Sequence, residues 1–174
     1  MRQIKILNSI INIEQGDITN QDTEAIVNAA NNQLSPGGGV SGAIHKAAGL
    51  KLWEECKKIN GCKTGEAKIT KGYNLKAKYV IHTVGPIYSK SEDDQIRLSE
   101  CYRNSLNIAF NKNIKSISFP AISTGIFGYP KKEAAEIAIK TIKNQLIERN
   151  KKIVVKFILY DDENYKIYLH TLGK

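Results

Sequence analysis

The segment AIVNAANNQLSPGGGVSGAIHKAAG, residues 25–49, decides the fold class of this chain. It begins with an apolar run, residues 25–30, of the kind that forms a strand buried on both faces of a sheet. A long loop with three consecutive glycines follows, and from Val40 the pattern becomes helical. Apolar residues then recur on one helix face, namely Ala43, Ile44, Ala47 and Ala48. The segment therefore predicts a buried strand, a glycine-rich loop and an amphipathic helix.

Short apolar runs alternate with helical patterns along most of the remaining chain. The further predicted strands are residues 4–7, 10–13, 66–70, 79–84, 116–122 and 154–159. The further predicted helices run to about residue 59, through 98–110, from 130 to about 146, and through 163–172. This alternation predicts an α/β fold, a three-layer α/β/α sandwich with a mixed, mainly parallel central sheet. We expect a single domain over residues 1–174, with ligands bound beyond the carboxyl ends of the strands.

The composition is typical of a soluble globular domain, with 41% hydrophobic and 25% charged residues among 174. No apolar run approaches the roughly 20 residues that span a membrane. Three cysteines, at positions 56, 62 and 101, are an odd number without metal-type spacing. They predict reduced thiols, a cytoplasmic protein and no bound metal or cofactor.

The net charge of +9 is compatible with a nucleic-acid surface or with a lysine-rich, solvated exterior. The lysines are spread along the chain, and the sequence contains no aromatic-and-basic motif typical of RNA-binding modules. Charge alone therefore does not identify a partner, and nucleic acid is not an expected one.

The glycines Gly37, Gly39 and Gly42 match the G-x-G-x-x-G fingerprint of dinucleotide-binding folds. That fingerprint requires the glycines to follow the strand directly, whereas residues 31–36 intervene here. It also requires a carboxylate at the end of the next strand, where this chain has Lys71. A redox dinucleotide site is therefore not predicted.

Two glycine-rich loops are still expected at neighbouring strand ends. Glycine lets backbone N–H groups approach a phosphate, and the helix from Val40 directs its positive end at the first loop. The second loop, residues 123–128, can form another anion-binding nest. Together the loops can hold a diphosphate from both sides, although each can also be a simple tight turn.

Several motifs, in order, resemble those of the macrodomain family, and most closely its MacroD type. They are GDIT at 16–19, IVNAAN at 26–31, GGGV at 37–40 with AIH at 43–45, VIHTVGP at 80–86, and PAISTGIFG at 120–128. The resemblance covers nearly the whole chain. It implies ADP-ribose binding, and either hydrolysis of mono-ADP-ribosyl esters on proteins or deacetylation of O-acetyl-ADP-ribose. ADP-ribose and ADP-ribosylated proteins are the implied partners, and we expect a monomer.

The resemblance also assigns the ligand-binding residues. It places Asp17 against the adenine amino group with the Ile18 backbone beside it, although Asp17 can equally cap a helix near Thr19. The first loop, through Gly38, Gly39 and Val40, is expected to line the distal ribose and the diphosphate. The second loop is expected to supply backbone donors to the phosphates, from Ser123, Thr124, Gly125, Ile126 and Phe127. The Phe127 ring is expected to lie against the distal ribose.

Three residues are expected to be catalytic. Asn31 matches the family asparagine that binds the distal ribose hydroxyls, a role for which an amide suits because it both donates and accepts. His45 matches a histidine implicated in the MacroD active site. Ser41 occupies a position where MacroD-type hydrolases commonly have an aspartate. A serine hydrogen-bonds water but is a poor general base, a function that contributes roughly 100- to 10,000-fold.

Three functions remain open at this point. The first is a hydrolase of ADP-ribosyl esters, and the second is an ADP-ribose reader without turnover, which Ser41 favours. The third is a basic nucleic-acid-binding domain, which only the net charge favours.

Overall fold

The computed structural model describes residues 2–173 and contains one mixed sheet of seven strands. The strand order across the sheet is β1-β2-β7-β6-β3-β5-β4. The strands are β1 (Arg2–Ile6), β2 (Ser9–Gln15), β3 (Ala25–Ala29), β4 (Ala67–Lys71), β5 (Tyr79–Thr83), β6 (Ser116–Phe119) and β7 (Val154–Leu159). The five central strands are mutually parallel, while β1 and β4 pair antiparallel at the two edges.

Helices cover both faces of the sheet, which confirms the expected three-layer sandwich. They are α1 (Gly39–Ala48), α2 (Leu50–Ile59), α3 (Glu92–Asn111), α4 (Lys131–Arg149) and α5 (Asp162–Leu172). Alternate residues of β3 show the two layers, because Ala25 and Val27 join the core under α3, α4 and α5 while Ile26 joins the core under α1 and α2.

Local sequence accounts for several helix boundaries. Ser91 and Asp94 form a capping box at the start of α3, and the Asp161 side chain caps α5. Gly49, with φ of 87°, separates α1 from α2. In contrast, the N-cap residue of α1 is Gly38, which provides no side-chain cap, so the first N–H groups of this helix remain for another acceptor.

Two expectations differ from the structure in detail. The strand predicted over residues 116–122 ends at Phe119, and the following residues already belong to a loop. The sequence predicted only the antiparallel hairpin of β1 and β2, whereas β4 also runs antiparallel to β5. Both edge strands carry lysine or arginine, as is common where strand edges are exposed.

Within residues 2–173, no helix combines the length and apolarity that crossing a membrane requires. In the same range, no group of three or more His, Cys, Asp or Glu side chains is arranged to hold a metal ion.

Candidate active site

A cavity of about 580 Å³ lies beyond the carboxyl ends of the central parallel strands. Strands β2, β6 and β7 all end at it, and the N-terminus of α1 faces it. Its lining residues are Gly16, Asp17, Ile18, Gly39, Val40, Ala43, Pro120, Ala121, Thr124, Gly125, Lys131, Ile158, Tyr160, Asp161 and Asn164. Its position agrees with the expected ligand site of a parallel α/β sheet.

Asp17 both caps a helical turn and lines the cavity. Its Oδ1 accepts hydrogen bonds from the Thr19 amide at 2.8 Å and the Thr19 hydroxyl at 2.7 Å, which caps the 3₁₀ turn Ile18–Asn20. The two alternatives weighed for Asp17 are therefore compatible, because the cap uses Oδ1 and no residue within 2–173 hydrogen-bonds to Oδ2. Ile18 is buried beside it and also lines the cavity.

The N-terminus of α1 forms one wall of the cavity. The first intrahelical bond runs from the Gly42 amide to the Gly38 carbonyl at 3.2 Å, so the amides of residues 39–41 precede it. A Cβ on Gly42 would lie 2.3 Å from the Gly37 carbonyl oxygen, and Gly39 has φ of 54°. The close approach requires glycine at position 42, the positive φ favours glycine at position 39, and the helix dipole favours an anion at this wall.

The second glycine-rich loop forms the facing wall through Thr124 and Gly125. Backbone bonds from Gly128 to Gly125 at 3.0 Å and from Tyr129 to Ser123 at 2.9 Å close this loop. These bonds use only the amides at the end of the loop, so the amides of residues 124–127 are not needed to hold it. The loop can therefore present donors to an anion.

Three predicted residues of the second loop do not line the cavity. Ser123 is buried, and Ile126 at the tip is completely exposed. Phe127 is half-buried, and its carbonyl accepts a hydrogen bond from the Tyr88 amide at 2.9 Å. Their binding roles stay predictions.

Asn31 and Ser41 are both hydrogen-bonded to Ser35. The Asn31 amide contacts Ser35 through both of its polar atoms, and the Ser41 hydroxyl donates to the Ser35 carbonyl at 3.4 Å. Gly37 lies over both, since a Cβ there would be 3.5 Å from Asn31 Nδ2 and 4.0 Å from Ser41 Oγ. Asn31, Ser35 and Ser41 form a polar cluster next to the N-terminus of α1, and none of the three lines the cavity.

His45 lies outside both this cluster and the cavity lining. Its ring is buried and makes an edge-on contact with Trp53 on α2, with ring centroids 6.4 Å apart. Neither ring nitrogen makes a hydrogen bond of ordinary geometry within residues 2–173. Burial lowers the pKa of His45 below its usual value, with a smaller opposing effect of the Leu34 backbone, and so favours the neutral ring. Its catalytic role stays a prediction.

The sequence analysis missed the wall that follows β7. Tyr160, Asp161 and Asn164 line the cavity there, and Lys131 reaches it from the start of α4. Their position follows from the parallel pairing of β7 with β2, which brings the end of β7 beside Asp17. The N-cap aspartate at the start of α5 was the available signal, because it marks a helix N-terminus at the same sheet edge.

Carboxylates outnumber cations around the cavity, because Asp17 and Asp161 line it and Lys131 is the single lining cation within residues 2–173. The Lys131 ammonium lies 3.8 Å from an Asp161 carboxylate oxygen and 2.5 Å from one of Glu163. Lys131 is the only Lys or Arg that lines the cavity among residues 2–173, and these carboxylates already pair with it. An anionic ligand here is therefore held by backbone N–H groups and the α1 dipole more than by cationic side chains.

Fold and cavity together define an α/β/α protein with a nucleotide-sized cleft between two glycine-rich loops. The Macro domain family model matches residues 27–138, and the chain belongs to this family. It is 48% identical over 169 residues to the O-acetyl-ADP-ribose deacetylase of Cronobacter turicensis, covering 94% of this chain and 96% of that protein.

Two further similarities agree with this assignment. Human ADP-ribose glycohydrolase MACROD2 is 48% identical over 177 residues, which cover 98% of this chain and 41% of that protein. A variant of the Oceanobacillus iheyensis macrodomain, solved with ADPR, superposes with a TM-score of 0.95 at 43% identity. That superposition covers 99% of this chain and 96% of the other.

Proposed function

We propose that this protein binds ADP-ribose in the cleft and hydrolyses its esters. The substrates are mono-ADP-ribosyl groups ester-linked to proteins, O-acetyl-ADP-ribose, or both. The observation that carries the proposal is the cavity between the uncapped N-terminus of α1 and the loop at Thr124 and Gly125, with Asp17 beyond them. The activities named for the Cronobacter and human relatives support the same reaction class.

In this proposal the ligand has one orientation in the cleft, with the adenine at Asp17 and the distal ribose at the other end. Asp17 Oδ2 accepts from the adenine amino group, and the adenine ring packs beside Ile18 and the exposed Tyr160 ring. The diphosphate lies between the amides of residues 39–41 and those of 124–127. The distal ribose then reaches the Asn31 and Ser41 cluster.

In the proposed hydrolysis, water attacks C1 of the distal ribose while the bond from C1 to the ester oxygen breaks. The carboxylate leaves with the electron pair, and the water proton passes to a substrate phosphate oxygen or to solvent. For the acetyl ester, water attacks the acyl carbon instead, and the bond from that carbon to the ribose oxygen breaks. One water proton passes to the ribose oxygen and the other to solvent, so acetate and ADP-ribose are the products. Asn31 orients the sugar in both cases.

Ser41 contributes orientation but little basicity. Its proton points to the Ser35 carbonyl, so its oxygen lone pairs are free to accept from a water molecule. A neutral hydroxyl does not remove a proton at physiological pH. We therefore expect slow turnover, and the same observation favours a non-catalytic ADP-ribose reader as the second candidate function.

One assay separates the two candidates. The protein is incubated with a substrate ADP-ribosylated on aspartate or glutamate and with O-acetyl-ADP-ribose, and the released label and acetate are measured. Release faster than in the protein-free control supports the hydrolase. Micromolar binding of ADP-ribose without release over hours leaves only the reader.

We further propose that the protein is a cytoplasmic monomer. Its three cysteines are free and buried, which suits a reducing compartment. Burial raises the pKa of the Cys56, Cys62 and Cys101 thiols to about 11, so they are not reactive thiolates.

A further inference from the structure

All hydrogen bonds of the Asn31 side chain within residues 2–173 go to one residue, Ser35. Nδ2 donates to the Ser35 carbonyl at 3.1 Å and to the Ser35 hydroxyl at 3.0 Å. Oδ1 accepts from the Ser35 amide at 3.0 Å and from the Ser35 hydroxyl at 3.3 Å. An asparagine amide has two donor hydrogens and two acceptor sites. The contacts with Ser35 therefore account for the two donor and two acceptor sites of the Asn31 amide.

The two backbone contacts are fixed parts of the loop. Leu34 has a completely buried side chain and a left-handed backbone with φ of 58°, and its amide bonds to the Asn31 carbonyl at 3.0 Å. This anchored turn places the Ser35 amide and carbonyl against the Asn31 amide. These two backbone groups of Ser35 fix the plane of the Asn31 side-chain amide and determine the positions of its oxygen and nitrogen atoms.

The two contacts with the Ser35 hydroxyl are of a different kind. Ser35 is half-buried, and rotation of one side-chain torsion removes its hydroxyl from Asn31 without moving the backbone. The hydroxyl accepts from Nδ2 and donates to Oδ1, which is the pair of bonds that a sugar hydroxyl makes with an amide. It therefore occupies the hydrogen-bonding positions that a ribose needs.

We propose that the Ser35 hydroxyl is an internal competitor of the distal ribose at Asn31. This inference rests on the proposed function, in which Asn31 binds that ribose. Ser35 is then a specificity-determining residue, because it lowers the affinity for ligands that carry the distal ribose relative to ADP, which lacks it. Binding of ADP-ribose requires the Ser35 side chain to turn away.

The test compares Ser35→Ala with the unmodified protein by titration calorimetry with ADP-ribose and with ADP. Removal of the competing hydroxyl frees one donor and one acceptor of Asn31, each of which forms a bond of modest net strength. We expect the affinity for ADP-ribose to rise about three- to tenfold and the affinity for ADP to stay unchanged. Ser99→Ala is the matched control, because the Ser99 hydroxyl makes a local bond on α3.

A double variant tests whether Ser35→Ala changes the affinity for ADP-ribose through Asn31. In an Asn31→Ala background, Ser35→Ala is expected to leave the affinity for ADP-ribose unchanged, since the competed amide is gone. Thermal unfolding of each variant checks that the loop remains folded.

Other results overturn the inference. Weaker ADP-ribose binding with unchanged ADP binding makes the Ser35 hydroxyl a ligand of the ribose. An equal change for both ligands, or no change for either, leaves it a purely structural group. Failure of the unmodified protein to bind ADP-ribose refutes the proposed function itself, so the two failures are distinguishable.

Discussion

The carbonyl oxygen of Ser35 accepts hydrogen bonds from both Ser41 and Asn31. The Ser41 hydroxyl donates to it at 3.4 Å, and Asn31 Nδ2 donates to it at 3.1 Å. One main-chain oxygen thus connects the two side chains that we place at the distal ribose. Both side chains are therefore positioned by the same loop residue, Ser35.

We expect Ser41→Asp to raise hydrolytic turnover by about 100-fold, since it supplies a general base where this chain has a hydroxyl. The rate of label release from an ester-linked ADP-ribosylated protein measures the effect, and Ser41→Ala shows what the hydroxyl itself contributes. Unchanged turnover in Ser41→Asp would mean that the substrate phosphate already performs this function.

Asp17→Asn separates the cap from the ligand contact. Asparagine caps helices as well as aspartate, so its oxygen keeps the bonds to Thr19 and stability is maintained. Its nitrogen replaces Oδ2 and does not accept from an adenine amino group, so ADP affinity is expected to fall about tenfold.

Asp17→Ala is the companion variant and is expected to lose both the ADP affinity and about 1 kcal/mol of stability. Calorimetry and urea unfolding provide the two measurements. Full ADP affinity in Asp17→Asn would exclude the proposed adenine contact.

Gly42→Ala is expected to distort the first glycine-rich loop. The new Cβ would lie 2.3 Å from the Gly37 carbonyl oxygen, so the backbone has to move. We expect a loss of about 1–3 kcal/mol in the free energy of unfolding and at least about tenfold weaker ADP binding. For stability, Gly38→Ala is the control, because a Cβ there meets no atom within 4 Å and Gly38 has φ of −86°. Equal stability of the two variants would contradict the close approach.

The pH dependence of stability is expected to reflect His82. Burial, with a smaller effect of nearby His45, lowers the pKa of His82 to about 3 from its usual 6.5. Below pH 6.5 the unfolded chain binds a proton that the folded chain does not, so stability falls as the pH drops from 6.5 toward 3. The slope from His82 is about 1.4 kcal/mol per pH unit.

Urea unfolding at several pH values between 7.5 and 4 measures this slope. His82→Gln removes the titrating ring and is expected to flatten the slope, although it also removes the bonds to Thr70 at 2.9 Å and Asn28 at 3.1 Å and so lowers stability at all pH values. An unchanged slope in His82→Gln would assign the pH dependence to other groups.

The sequence was sufficient for the fold class and for two walls of the cleft. The alternation of apolar runs and helices predicts the layers, and the glycine at position 42 marks a close approach of the backbone to Gly37. The third wall could not be predicted in this way. Tyr160 and Asn164 join the cleft only because β7 lies beside β2 in the sheet, and strand order is a tertiary property.

Side-chain direction was also beyond the sequence. His45 follows Ser41 by one helical turn, so their proximity was predictable, but the contact of its ring with Trp53 depends on how α2 packs against α1. The role of Ser35 was equally hidden. A serine between a leucine and a proline is typical of a loop, and only the left-handed turn at Leu34 brings its hydroxyl to Asn31.

The ion pairs of Lys131 with Asp161 and Glu163 have a consequence for mutational studies of this protein. With Lys131 already paired, the anion site proposed here consists of main-chain donors, which no side-chain truncation removes. Alanine substitution of only the non-glycine residues within 37–42 and 123–128 would therefore understate the contribution of these loops. Their contribution becomes measurable only through substitutions that change the course of the backbone.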